Sequence, residues 1–438
     1  MSTNQNIKPL TSEVKDNTLF IGGCNTVELA SKYGTPLYVI DEHTLRTMCK
    51  EYKESFSKYP NMEILFASKA LATSAIYKII SQEGLGIDVV SGGELFTAYK
   101  AGFDMSKVLF NGNNKQEWEL ESAIDIGIGV ISVDNFHEIK LLNNIAQKRN
   151  KTVKILLRIT PGIDCHTHEY IQTGQLDSKF GFDLSQIDDA INEIIKCENL
   201  SLKGLHAHIG SQIFDDAGFK DEIKILVEEL VRINSKFNLS LTELNLGGGL
   251  GVKYVETDTP PDVYDIANSI ISTLNEELNK YNLTDIKIYI EPGRSIVSTS
   301  GVTLYTIGAS KQVPNATKYI SVDGGMSDNP RHALYQAEYS CDIANKMNND
   351  KSEIVTVAGK YCESGDILME NVALPNCEAG DILCVYNTGA YNYSMASNYN
   401  SAQKPGMVLV NNSQSDIIVY RETLEDLISR DNIPDRLK

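Results

Sequence analysis

Between residues 62 and 294 the chain alternates short β-rich runs with helical stretches eight times, and no other feature limits its fold so much. The β-type runs are 62–66, 86–90, 107–110, 128–132, 153–159, 203–208, 241–246 and 286–290, and Gly, Asn, Asp and Ser flank them as they flank strand ends. Helical patterns with apolar residues three and four apart fill the gaps, as in Leu184–Cys197 and Phe219–Phe237. Eight βα units in about 230 residues match a (β/α)8 barrel, and periodicity alone leaves a doubly wound open sheet as the alternative. From residue 297 the pattern changes to short strands with turn-rich connections: Val302–Ile307, Lys318–Val322, Ile354–Val357, Ile382–Tyr386, Met407–Val410 and Ile417–Tyr420. This stretch reads as an all-β domain, a sandwich or small barrel. The expected organisation is a barrel over 42–296 and a β-domain over 297–438. Residues 1–41 would contribute at least the strand Leu37–Ile40 to the β-domain.

Composition narrows the function. A chain of 438 residues can bury two cores. Its net charge of −18 argues against a nucleic-acid partner or an anionic membrane surface. The polar start MSTNQNIKPL carries neither a secretory nor a transit pattern, and no apolar run reaches membrane-spanning length. Eight cysteines without a CxxC pair or metal-ligand spacing fit free thiols in the cytoplasm and no bound metal.

In a barrel, all strand C-terminal ends meet at one face, and that is where barrel enzymes do their chemistry. Nearly every expected strand here ends in polar or glycine-rich sequence. Lys69 follows the first strand; a partly desolvated lysine loses its proton readily and can form a Schiff base with an aldehyde. Asp88 lies in the second strand, before Ser91-Gly92-Gly93-Glu94. Asn111, Asp134 and Arg158 close the next three. His206 and His208 sit two apart on the sixth, His206 reading as a core histidine and the pair lacking a third zinc ligand. Gly247-Gly248-Gly249-Leu250-Gly251 follows the seventh, either a tight turn or a loop whose N–H groups approach a phosphate, with Ser211 as a further donor. Glu291-Pro292-Gly293-Arg294 ends the eighth. Glu291 and Arg294 could form a loop-orienting ion pair, or Glu291 could keep a pyridine nitrogen protonated. In the β-domain, Cys362 and Glu363 lie in a glycine-containing loop. Arg331, with Tyr335 four residues on, could clamp a carboxylate, and Tyr391 could reach a phosphate or simply pack.

These segments together resemble the fold-type III pyridoxal-phosphate (PLP) decarboxylases, most closely the diaminopimelate branch, over nearly the whole chain from Pro36. The motifs that carry the resemblance are 66–70 (FASKA), 166–174 (HTHEYIQTG), 178–181 (SKFG), 208–212 (HIGSQ), 291–294 (EPGR), 362–366 (CESGD) and 395–400 (MASNYN). The resemblance implies PLP-dependent decarboxylation of meso-2,6-diaminopimelate to L-lysine and CO2, the last step of lysine biosynthesis. Lys69 would carry PLP, His208 would stack on its ring, and Glu291 would pair with the ring nitrogen. Asp88, Ser211, Gly248, Gly249, Pro292, Gly293, Arg294 and Tyr391 would complete the cofactor site. Arg294, Arg331, Tyr335 and Tyr391 would bind substrate, and Glu363 its distal amine. Cys362 would deliver a proton. In this family Cys362 and Glu363 arrive from the second subunit of a head-to-tail homodimer. Lys360, where the family usually has Pro, and Ala402-Gln403-Lys404-Pro405, in place of an Arg- and Pro-rich stretch, depart from the pattern. Two alternatives are a sister decarboxylase for ornithine, arginine or a carboxylated polyamine, and a non-catalytic PLP-binding regulator. The regulator would be expected to lose Lys69 or Cys362, and both are present.

Overall fold

The structure, a computed structural model, describes residues 2–163 and 178–438. The expected motif at 166–174 lies outside them. The chain divides into two compact units. The first comprises residues 46–253 and 258–296 with the first five residues; the second comprises 6–45, 254–257 and 297–438.

The first unit is a closed parallel barrel. Its strands are β1 (Met62–Ala67), β2 (Gly86–Val89), β3 (Val108–Phe110), β4 (Val130–Val133), β5 (Val153–Thr160), β6 (Leu200–His206), β7 (Glu243–Asn245) and β8 (Lys287–Ile290). Each pairs in parallel with the next, and β8 returns to β1 through Ile288–Met62, Tyr289–Glu63 and Ile290–Ile64. The barrel is therefore the architecture formed, and the open sheet is excluded. A parallel neighbour needs a crossover, and the intervening helices supply it. Local chemistry starts them where the strands stop. Asn135 accepts from the Glu138 N–H to begin Phe136–Lys148, and Ser91 accepts from the Glu94 N–H to begin Gly92–Lys100.

Side chains two apart on a strand share a face. Leu65, Leu109, Val130, Leu156 and Tyr289 form one buried apolar cluster. Two residues further along the same faces come Asn111, Ser132, Arg158 and Glu291. The barrel thus stacks a polar layer directly on an apolar one, on the C-terminal side of its strands. His208 was expected on the sixth strand, but β6 ends at His206, so the two histidines are not a strand pair.

The second unit is a mixed sheet. Its order runs Ile367–Leu374, Glu353–Ala358, Lys318–Val322, Gly301–Gln312, Leu37–Asp41, Gly406–Asn411, Gln414–Val419, with Ile382–Val385 also pairing Gly301–Gln312. Leu37–Asp41 lies mid-sheet, antiparallel to Gly301–Gln312 and parallel to Gly406–Asn411. Its five residues are all buried, as a central strand's should be. The sequence reading omitted the strands Cys341–Ile343 and Ile367–Leu374 and the small antiparallel sheet formed by Glu13–Lys15, Thr18–Ile21 and Cys24–Asn25.

Candidate active site

The polar layer of the barrel converges on Glu291, which is buried just past β8. Its Oε1 accepts from Asn245 Nδ2 at 2.7 Å and Asn111 Nδ2 at 3.1 Å, and its Oε2 lies 3.5 Å from His206 Nε2. The second atom of two of these partners is also engaged: Asn245 Oδ1 accepts from the Gly247 N–H at 2.9 Å, and Ser132 Oγ meets His206 Nδ1 at 2.8 Å. Asn111 Nδ2 also reaches Asp88 Oδ1 at 2.7 Å. Burial acts to raise the Glu291 carboxyl, but His206, the Lys69 cation and the Asn245 amide outweigh it and hold the group well below the usual carboxylate range. Asp88 moves the other way. Burial first, and then the charge on Glu291, push it well above that range. Two carboxyls in one layer are thus driven in opposite directions, Glu291 toward the ionised form and Asp88 toward the protonated one.

Lys69 sits in the short helical turn Ser68–Ala70 that ends β1, half-buried. The turn is pinned by Glu94, which accepts from Ser68 Oγ at 2.7 Å and from the Val90 N–H at 2.8 Å. His208 is half-buried beyond β6, and its Nδ1 accepts from the Gly248 N–H at 3.2 Å. Burial, then the Lys69 and Arg158 cations, push its imidazole well below the usual range, so the ring is neutral. Arg294 Nη2 donates to Ser211 Oγ at 3.0 Å, linking the loops after β8 and β6.

The glycine loop after β7 is tied to the loop after β6, where Ile213 and Gly249 share a backbone hydrogen bond of 2.9 Å. A Cβ on Gly248 would stand 2.1 Å from the Glu291 carbonyl oxygen, and Gly249 has φ +126°. Both positions need glycine for the approach of one strand end to the next.

In the second unit, Arg331 begins the helix Arg331–Tyr335 and is buried rather than on the surface. Its Nη1 donates to Tyr339 Oη at 2.7 Å and Tyr254 Oη at 3.0 Å, and its guanidinium stands over both rings. Tyr335 ends that helix. Tyr391 holds a left-handed backbone at φ +62°, uncommon for an aromatic residue. Cys362 and Glu363 lie in an exposed loop. Cys362 Sγ is 3.5 Å from Tyr399 Oη, its N–H donates to Asn400 Oδ1 at 3.3 Å, and the Tyr399 hydroxyl donates to Glu363.

Lys69, Asp88, His208, Ser211, Gly248, Gly249, Glu291, Pro292, Gly293 and Arg294 therefore belong to one barrel face. Arg331, Tyr335, Cys362, Glu363 and Tyr391 belong to the other unit. Glu291 is taken by amides and a histidine, while Arg294 goes to Ser211. Sequence reasoning missed roles for Asn111, Asn245 and His206 around Glu291 and for Tyr399 and Asn400 around Cys362. Alternation along the strands was the available signal, since Asn111 and Asn245 share faces with Leu109 and Glu243. Among the described residues no cluster of His, Cys, Asp and Glu could hold a metal ion.

Residues 42–298 match the family model of the pyridoxal-dependent decarboxylase pyridoxal-binding domain. A diaminopimelate decarboxylase of Synechocystis sp. is 49% identical, the match covering 100% of this chain and 95% of that protein. One from Bacillus subtilis is 45% identical over 94% and 95%. The solved diaminopimelate decarboxylase of M. jannaschii in complex with L-lysine superposes with a TM-score of 0.92 at 35% identity, covering 100% of both chains. A lysine at the end of β1, a carboxylate kept ionised at the end of β8 and a glycine loop between them thus occur in a chain that aligns end to end with these proteins. It belongs to the diaminopimelate decarboxylases, within the pyridoxal-dependent decarboxylase family.

Proposed function

We infer that this enzyme removes one carboxylate of meso-2,6-diaminopimelate as CO2 and leaves L-lysine, with PLP as its cofactor. The observation that carries the reading is Glu291, a buried carboxylate kept ionised at the C-terminal end of an (α/β)8 barrel, one layer above an apolar cluster.

The donor set fits PLP. Lys69 offers an amine, Glu291 a fixed negative charge, and His208 a neutral ring. Gly248, Gly249, Ser211 and Arg294 offer N–H, hydroxyl and guanidinium groups to a phosphate, with Pro292 and Gly293 shaping the same loop. The buried oxygens Asp88 Oδ2 and Asn111 Oδ1, both in this layer, lack a hydrogen-bond partner, as expected beside a site for a polar group. When bound, PLP supplies a conjugated ring that accepts the electron pair left on carbon as CO2 departs.

The chain's own residues divide the remaining work. Glu291 holds a proton on the facing nitrogen by charge, and Asn111 and Asn245 keep its carboxylate from turning. Asp88, pushed toward its protonated form by burial and by Glu291, is the carboxyl of the pair that gives up its charge more readily. Arg294, Arg331, Tyr335 and Tyr391 hold substrate carboxylate, and Glu363 takes the distal ammonium. A substrate with two amino-acid ends needs cations for two carboxylates while only one end reacts, and two arginines meet that demand. Cys362 then gives its proton to the carbon that lost CO2. We further propose a homodimer in which Cys362 and Glu363 serve the partner's barrel, as the family resemblance implies. We place the enzyme in the cytoplasm, where the seven described cysteines, all free, stay reduced.

The test is CO2 release from purified, PLP-loaded protein with meso-diaminopimelate, ornithine and arginine at matched concentrations. Release from meso-diaminopimelate with L-lysine as product, and at least about a hundredfold less from the other two, is expected. Preferential release from ornithine or arginine would replace the reading with that of a sister decarboxylase.

A further inference from the structure

The loop that carries Cys362 and Glu363 is organised by a third side chain. Tyr399, half-buried in the turn Tyr399–Ser401, places its hydroxyl 3.5 Å from Cys362 Sγ and at the same time donates to Glu363 Oε1. The arrangement is braced on both sides. The Tyr399 ring meets Tyr361 edge-on, with centroids 6.1 Å apart, and the Tyr361 hydroxyl accepts from Ser327 Oγ. Asn400, in a left-handed backbone at φ +52°, accepts the Cys362 N–H. Asp366 accepts the N–H groups of Tyr361 at 2.8 Å and Met326 at 2.7 Å, which fixes the base of the loop.

We propose that the Tyr399 hydroxyl is a positioning group that joins Cys362 to Glu363, so that the sulfur's readiness to release a proton follows the charge and occupancy of the neighbouring carboxylate. The proposal rests on the reading of Cys362 as proton donor and Glu363 as the ammonium-binding group.

A phenol has one hydrogen to donate. With Glu363 unengaged, that hydrogen goes to the carboxylate and the sulfur keeps its own proton. An ammonium group bound to Glu363 competes for the carboxylate oxygens and frees the phenol. When Cys362 gives its proton to carbon, the S–H electron pair stays on sulfur. The phenol turns its hydrogen from Oε1 to the thiolate, and solvent later returns a proton to sulfur. A thiolate that accepts a hydrogen bond is favoured over one that does not. In agreement, the hydrogen bonds from Tyr399 and then Asn400 lower the Cys362 thiol from its ordinary value, against the opposing charge of Glu363. The titratable and charged groups around the sulfur are Glu363 and Tyr399, with Tyr361, Lys360 and Asp366 on the same loop. The link also gives specificity a route into rate, since a substrate without a distal ammonium leaves the phenol on Glu363.

The experiment measures iodoacetamide labelling of Cys362 in the PLP-loaded enzyme as a function of pH. The Cys362 peptide is resolved by mass in wild type, Tyr399→Phe, Glu363→Gln and the double variant. Tyr399→Phe keeps the ring and is expected to slow labelling about tenfold on the acidic side of the midpoint, with equal rates at high pH, the effect of one lost charge-assisted hydrogen bond. Glu363→Gln tests the link from the other side without touching the ring, and is expected to speed labelling. In the double variant the part of that gain that passes through the phenol should vanish while the part due to removing the Glu363 charge remains, a non-additive cycle. Turnover of Tyr399→Phe should fall about tenfold in kcat with KM changed less than about twofold. An unshifted labelling profile for Tyr399→Phe, or an additive cycle, would overturn the proposal. Cys362→Ala separates the two levels. If it is inactive while Tyr399→Phe matches wild type, the tyrosine link fails and the donor reading stands; if it turns over normally, the donor reading fails first.

Discussion

Glu291 shows how a single residue acquires its properties from neighbours on other strands. Its partners Asn111, His206 and Asn245 come from the ends of β3, β6 and β7, so four strands must be in register before the carboxylate is held. Asparagine amides suit the task because they donate without bringing a charge that could be titrated away. Glu291→Gln should keep the fold and retain PLP, since the glycine loop, Ser211, Arg294 and Lys69 are untouched. An amide cannot hold a proton on a facing nitrogen by charge, so kcat should fall on the order of 10²–10³-fold, the usual effect of one lost preorganised electrostatic partner. Bound PLP read by absorbance and turnover read by CO2 release check the two halves separately; near-normal kcat would show that the charge on Glu291 is dispensable. Lys69, Glu291 and Cys362 could be picked out from sequence because each stood in a short motif at a strand end or loop. Asn111 and Asn245 carried no such signal, and Tyr399, although inside the motif at 395–400, carried none that tied it to Cys362. An asparagine at a strand end is ordinary loop composition, and only closure of the barrel reveals that two of them face one carboxylate.

Elements set how closely these residues can approach. The loop after β7 passes the end of β8 so tightly that a methyl group on Gly248 would stand 2.1 Å from the Glu291 carbonyl oxygen, which is backbone and cannot move aside alone. Gly248→Ala should therefore displace the loop and loosen phosphate binding. An increase of about tenfold or more in the PLP dissociation constant is expected, with a stability loss of roughly 1–3 kcal/mol. Titration of the apo protein with PLP and a urea denaturation curve measure both, and unchanged PLP affinity would remove the loop from the phosphate site. The turn after Lys318–Val322 illustrates a different control. Asp328 is buried there, accepting from the Gly325 N–H at 3.0 Å and Tyr305 Oη at 2.5 Å. Burial pushes its carboxyl up to about 7, with the Tyr305 and Gly325 hydrogen bonds opposing. In the unfolded chain the same group titrates near 4. The folded pKa is the higher one, so the stabilising contribution is fully present below about pH 4 and is lost as pH rises through about 7. Asp328→Asn, which titrates in neither state, should flatten the fall in unfolding free energy between pH 4 and 8 by roughly 4 kcal/mol at most. Parallel slopes for wild type and variant would assign the pH dependence elsewhere.

For the molecule as a whole, the alternation of strand and helix announced the barrel because parallel pairing forces a crossover helix after each strand, so period and order carry the topology. The second unit was less legible. Cys341–Ile343 is three residues long and takes its identity from pairing with Ile382–Val385, a contact that sequence does not display. Ile367–Leu374 alternates only weakly, with exposed Glu370 and Asn371 at its middle. Assembly is harder still, because a subunit interface leaves no periodic trace. It can nonetheless be tested genetically, since the proposed homodimer takes Lys69 from one chain and Cys362 from the other. Lys69→Ala and Cys362→Ala should each be nearly inactive alone. After mixing and subunit exchange, a hybrid dimer would carry both lesions in one site and none in the other. Random pairing makes about half the dimers hybrid, each with one good site of two, so activity should recover to about a quarter of wild type. If Lys69 and Cys362 serve the same chain's site, every site in every dimer keeps one lesion and nothing is recovered. Exchange is verified independently by mass spectrometry of differently tagged subunits, so an inactive mixture that contains hybrids would exclude the shared site while leaving Lys69 and Glu291 in their roles on the barrel.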